Sequence, residues 1–144
     1  MKLREPFVYF VDRSLGRKVV VEALRAAGET AQAHDDYFDI DAPDSAWLAE
    51  VTRRGWVVLT KDKNIRRNEI ERTVIVNAGA ACFMLGRGDL SGATMGRVLV
   101  EALPRVRRVL RRYEPPLGAS VNLLGQLRLL MAGGRLLEPP REIR

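Results

Sequence analysis

Apolar residues along the chain follow two rhythms, short unbroken runs and longer stretches that repeat every three or four positions. Phe7-Val8-Tyr9-Phe10-Val11, Trp56-Val57-Val58-Leu59 and Ala80-Ala81-Cys82-Phe83-Met84-Leu85 are runs of the kind buried on both faces of a parallel sheet. Between the first two the period lengthens. Leu15, Val19, Val20, Ala23, Leu24 and Ala27 share one side of a predicted helix, with Ser14 as N-cap and Gly28 as its stop. Pro43-Asp44 opens another, with Trp47, Leu48 and Val51 inward and Gly55 beyond it. Residues 66–78 fit two periods: Val74-Ile75-Val76 suits a strand, whereas Ile70, Val74 and Asn77 suit a helix stopped at Gly79. A helix is the better reading, because a parallel strand at 80–85 needs a crossover before it.

Further along, Gly86-Arg87-Gly88-Asp89 reads as a loop, with Ser91 or Thr94 capping a long helix. Met95, Val98, Leu99, Ala102, Val106, Val109, Leu110 and Tyr113 form its core stripe; Arg97, Glu101, Arg105, Arg108 and Arg112 lie opposite. Pro104 is expected to kink or restart this helix, and Pro115-Pro116 to end it. Thr30 to Ala33 reads as a short strand and Val121 to Met131 as a strand or hairpin, with Gly125 and Gly133-Gly134 as turn points. The tail at Glu138-Pro139-Pro140 is expected to fray. Strand and helix alternate, which predicts a three-layer α/β/α domain with a mostly parallel central sheet. Residues 1–114 form that domain, and 115–144 an extension packing on it or on a partner.

Composition narrows the chemistry. A chain of 144 residues suits one domain. The lone Cys82 excludes an internal disulfide and fits a reducing, cytoplasmic setting. No apolar run approaches about 18 residues, so no membrane span is expected, and the first residues lack the apolar centre of a signal peptide. The single His34 excludes paired-histidine acid–base catalysis and a Cys/His zinc site. Carboxylates, hydroxyls, bases and a metal remain. Residues 1–72 hold 13 acids and 13 bases, but 73–144 hold 5 acids and 11 bases, so the net charge of +6 belongs to the second half. An acidic centre beside a basic flank suits a cation site serving a polyanion; a solvated loop and an ordinary Arg-rich helix would leave the same pattern.

Asp12 directly follows the first apolar run, Asp62 follows Thr60-Lys61 after the second, and Asp44 stands at a helix start between them. Parallel strands present their carboxyl ends to the ligand crevice. Carboxylates meeting there repel unless a cation lies among them, and Mg²⁺ or Mn²⁺ prefers such oxygen ligands. Each acid also has a structural role open to it: Asp12 and Asp44 as helix caps, Asp62 as a turn residue. Arg13, Lys61, Lys63, Arg66 and Arg67 surround them and could hold an RNA backbone.

Val11-Asp12-Arg13-Ser14-Leu15, His34-Asp35-Asp36-Tyr37-Phe38, Pro43-Asp44-Ser45-Ala46-Trp47-Leu48 and the stretch from Arg54 through Thr60-Lys61-Asp62 to Asn68 together resemble the PIN-like nuclease superfamily. The compact branch grouped with VapC-type toxins is the nearer likeness, over about residues 7–113. The resemblance implies a Mg²⁺- or Mn²⁺-dependent endoribonuclease, often paired with an antitoxin. By motif position Asp12, Asp44 and Asp62 would be catalytic metal ligands and Thr60 a supporting hydroxyl. Larger PIN domains add a Glu on an extra helix, for which Asp36 is the stand-in here, with Glu22 and Glu69 as weaker candidates. The alternative is a catalytically inactive RNA- or protein-binding module. A phosphoacceptor receiver domain is disfavoured, because strand one ends in the single Asp12 rather than an acid pair. The apolar residues from Leu117 to Leu137 suit a homodimer or antitoxin surface, or simply a closing strand.

Overall fold

The apolar runs become the middle strands of one seven-stranded sheet. A computed structural model describes residues 2–86 and 88–144; Arg87, within the expected loop at 86–89, lies outside the described residues. In chain order the elements are β1 (Val8–Val11), α1 (Val19–Ala26), β2 (Thr30–Ala33), α2 (Asp44–Arg53), β3 (Val57–Lys61), α3 (Glu69–Ala78), β4 (Ala81–Leu85), α4 (Gly92–Arg112), β5 (Leu117–Val121), β6 (Leu127–Ala132) and β7 (Arg135–Ile143). Strand order is β2-β1-β3-β4-β5-β6-β7. The first five are mutually parallel and the last two antiparallel. The α/β alternation and mostly parallel sheet expected from the sequence are both present.

Pleat alternation divides the core in two. Tyr9, Val11, Val57, Leu59, Phe83 and Leu85 face a layer made by α1 and α4. Phe10, Val58, Cys82 and Met84 face α2 and α3. The β3–α3–β4 and β4–α4–β5 crossovers step the same way across the sheet but pass over opposite faces, so they are of opposite hand. One of them departs from the usual right-handed rule. The departure lets α4 lie along α1, where Gly96 brings the helices so close that a Cβ there would stand 2.8 Å from Ala23 Cβ.

Four local expectations change. The first helix begins at Val19, not Ser14; Ser14 lies in a 3₁₀ turn, Arg13–Leu15, closed by Gly16 at φ 91°. Buried Leu15 anchors that turn, and Ser14 is used elsewhere. Helix α4 neither breaks nor restarts at Pro104, which sits exposed between buried stretches that hold the helix on both sides. The tail does not fray: Pro139 and Pro140 lie within β7, an edge strand, where a residue without an N–H is tolerated. A fifth parallel strand, β5, starts at Leu117, and the chain turns from it into β6 around Asn122–Gln126, with Gly125 at φ 76°.

The acidic loop after β2 is held by rings. Phe10 meets His34, Phe38, Trp47 and Trp56 at centroid distances of 5.9, 5.7, 5.4 and 6.2 Å. Arg54 then covers Tyr37 and Trp56 from outside, at 5.2 and 5.1 Å. This cluster fixes α2, and with it Asp44, against β1 and β3.

Candidate active site

Strand order reverses direction between β1 and β3, the point where open α/β sheets form a crevice at their carboxyl ends. Val11 pairs with Leu59, so the next residues, Asp12 and Thr60, fall side by side on that rim. The Asp12 N–H continues the ladder to the Leu59 carbonyl at 3.0 Å. Asp12 is 6 % exposed. A buried carboxylate needs donors, and two hydroxyls supply them. Thr60 Oγ1 donates to Asp12 Oδ2 at 2.7 Å and Ser14 Oγ donates to the same oxygen at 2.8 Å. The two hydroxyls lie 3.1 Å apart, and Ser14 Oγ also accepts the Lys61 N–H at 3.1 Å. One carboxylate oxygen is thereby fixed, and Oδ1 takes no protein donor among the described residues.

The other two aspartates stand at the start of α2 and just past the end of β3. Asp44 opens α2, its Oδ1 accepting the Trp47 indole N–H at 3.0 Å and its Oδ2 lying 3.5 Å from Lys63 Nζ. Asp62 follows β3 on the same rim. Its N–H donates to the Leu85 carbonyl at 2.7 Å, and its Oδ1 accepts the Asn64 N–H at 2.6 Å. A void of about 10 Å³ lies between β3, α2 and α3, lined by apolar Trp47, Leu48, Val58, Ile75 and Cys82, with Asp44, Thr60, Lys63 and Glu71 at its border. Burial pushes the Cys82 thiol up to about 12, so it is no nucleophile at neutral pH. Among the described residues no three His, Cys, Asp or Glu side chains stand grouped as a metal cage. The donor set suits a hard cation all the same, since it is oxygen only and Asp12 keeps one oxygen open.

The remaining expected residues separate. Asp36 lies in the 3₁₀ turn His34–Asp36 and borders a groove with Arg17, Glu22 and Arg25, on the α1 side of the sheet. Glu22 is exposed on α1, 3.8 Å from Lys18. Glu69 is exposed at the start of α3. The acid that reaches the void is Glu71, half-buried two residues on. Arg13 is drawn off by Asp35: its Nε is 2.9 Å from Oδ1, placed as an ion pair rather than along a hydrogen-bond line. Arg17 joins the same carboxylate at 3.1 Å. Lys63 turns inward to Asp44, whereas Arg66 and Arg67 stand exposed after the turn. Lys61 Nζ donates to the Gly88 carbonyl at 2.8 Å.

Ser14 and Glu71 are the site residues that sequence reasoning overlooks. A signal existed for Ser14, since a hydroxyl two residues past a strand-ending acid can turn back onto it. Nothing comparable marks Glu71, whose place depends on how α3 packs. No described helix is long and apolar enough to cross a membrane.

A family model described as "PIN like domain" matches residues 7–87, the span from β1 past β4 that carries all three aspartates. A protein of Mycobacterium tuberculosis named "Putative ribonuclease VapC45" is 34% identical over 106 residues, covering 71% of this chain and 77% of the relative. No solved structure matches the chain significantly. On the family match and this relative, the chain belongs to the PIN-like domain family.

Proposed function

We propose that the protein is a divalent-metal-dependent endoribonuclease of VapC type, hydrolysing RNA phosphodiester bonds at the β1–β3 rim. The observation that carries this reading is the clamp on Asp12, where two hydroxyls fix one oxygen of a nearly buried carboxylate and leave the other open. Such a carboxylate is preorganised to hold a cation. Asp12, Asp44 and Asp62 are the ligands, with Thr60 and Ser14 positioning Asp12. Mg²⁺ or Mn²⁺ bound there supplies neutralisation of phosphate charge and a more acidic water. Exposed Arg66 and Arg67, beside Asp62 in sequence, steady the RNA backbone; Arg13 contributes only where RNA phosphate competes with Asp35. Asp36 holds no metal in this reading, and Glu71 is the better candidate for the additional acid. The resemblance to VapC-type toxins adds a toxin restrained by an antitoxin protein, and the lone Cys82 a cytoplasmic setting.

Replacing Asp12 or Asp62 by Asn abolishes Mn²⁺-dependent cleavage of single-stranded RNA while the far-ultraviolet circular dichroism stays unchanged. Undiminished cleavage by both variants overturns the proposal. The Lys63–Asp44 ion pair favours a second reading, an inactive module that binds RNA or protein through its basic surfaces. That reading predicts binding insensitive to EDTA and to Asp12→Asn, with no cleavage at any metal concentration.

A further inference from the structure

The turn after β3 carries a lysine toward the aspartates instead of out to solvent. Asn64 adopts φ 53°, a left-handed conformation that asparagine tolerates better than most residues. Its N–H is tied to Asp62 Oδ1, which closes the turn around Lys63. Lys63 therefore runs inward, 27 % exposed, with its ammonium 3.5 Å from Asp44 Oδ2. The other oxygen of Asp44 is taken by the Trp47 indole. Both oxygens of that carboxylate are engaged by the protein itself. The Asp44 side chain is 41 % exposed, so a divalent ion can reach it from solvent, in competition with Lys63.

We propose that Lys63 is a resident cation of this site, which a divalent ion must displace from Asp44 before Asp44 can join Asp12 in binding it. The inference rests on the metal-dependent reading above. Lysine suits the part, being a compact point charge on a four-carbon stem that can swing away without moving the backbone. Displaced from Asp44, the ammonium returns to the rim, where an RNA phosphate is the natural new partner. Metal binding and RNA binding are then coupled through one side chain, and the lysine sets the metal concentration at which the site fills.

The test is calorimetric titration of Mn²⁺ into the intact protein in the absence of RNA. Removing the charge in Lys63→Met should tighten Mn²⁺ binding by about tenfold, the effect of a unit charge on a divalent ion at roughly 5 Å in a water-like dielectric. Lys63→Arg, which keeps the charge, should stay near the wild-type affinity, and Lys63→Gln serves if the methionine variant misfolds. The gain should vanish when Asp44→Asn is added to Lys63→Met. Equal affinity in wild type and in the folded Met or Gln variant, with binding still abolished by Asp12→Asn, overturns the role of Lys63 and leaves the nuclease reading standing. Absence of Mn²⁺ binding in the wild type and in every lysine variant overturns both.

Discussion

Thr60→Val removes the hydroxyl that donates to Asp12 Oδ2 at 2.7 Å and changes little else, since valine is close in shape and Thr60 is buried. A hydrogen bond to a charged group contributes about 1.5–3 kcal/mol. Ser14 keeps its own bond to the same oxygen, so the carboxylate is not wholly abandoned, and a loss of about 2 kcal/mol is expected. At roughly 2–4 °C per kcal/mol for a chain near this size, Tm should fall by about 4–8 °C. Urea denaturation of four proteins measures it: wild type, Thr60→Val, Asp12→Asn and the double variant. If the bond to the ionised carboxylate carries the cost, the valine substitution should cost at least about 1 kcal/mol less in the Asp12→Asn background. A loss under about 0.5 kcal/mol, or an equal loss in both backgrounds, would refute the clamp as an energetic element.

Other consequences are open to direct measurement. Arg53 and Arg54 hold the Glu50 carboxyl at about 2, below its ordinary 4.5, so the stability it adds is complete above pH 4.5 and disappears as pH falls toward 2. The Tm-versus-pH curves of wild type and Glu50→Gln should therefore diverge above that window and converge below it; parallel curves would contradict the pairing. Gly96→Ala forces a methyl against Ala23 on α1 and should cost roughly 1–3 kcal/mol, read as a lower urea midpoint. Cys82, fully buried, should resist a thiol-labelling reagent under native conditions and react at once in urea; fast native labelling would place it nearer solvent than described.

Much of the fold was legible because its central strands are buried on both faces and open on unbroken apolar runs. Phe7 to Val11, Trp56 to Leu59 and Ala80 to Leu85 left no other reading of comparable economy. The rim acids were equally visible, since Asp12 and Asp62 stand where such strands run out. What escaped was decided by contacts distant in sequence. Ser14 has the look of a helix cap, but its hydroxyl donates to Asp12 and accepts the Lys61 N–H, 47 residues away, so the helix starts later and without a side-chain cap. Lys63 has the look of a solvated base, and only the packing of α2 reveals Asp44 within its reach. Glu69 and Glu71 are alike on paper; the phase of α3 separates them. The ordered tail depends on β6 offering a partner, which no local propensity of Glu138-Pro139-Pro140 announces.

That tail also decides how this molecule meets its neighbours. Between Leu136, paired with Met131, and Arg141, paired with Leu129, β7 carries four residues opposite one, and two of them are prolines. A passing strand reaching this border finds a bulge and two positions with no amide to offer. At the far border β2 is four residues long and gives little to hold. Extension of the sheet into fibres or strand-swapped pairs is thus discouraged at both margins. The helical layers and the loops are left as the surfaces for contact between molecules, where grip is set by side chains and can be selective.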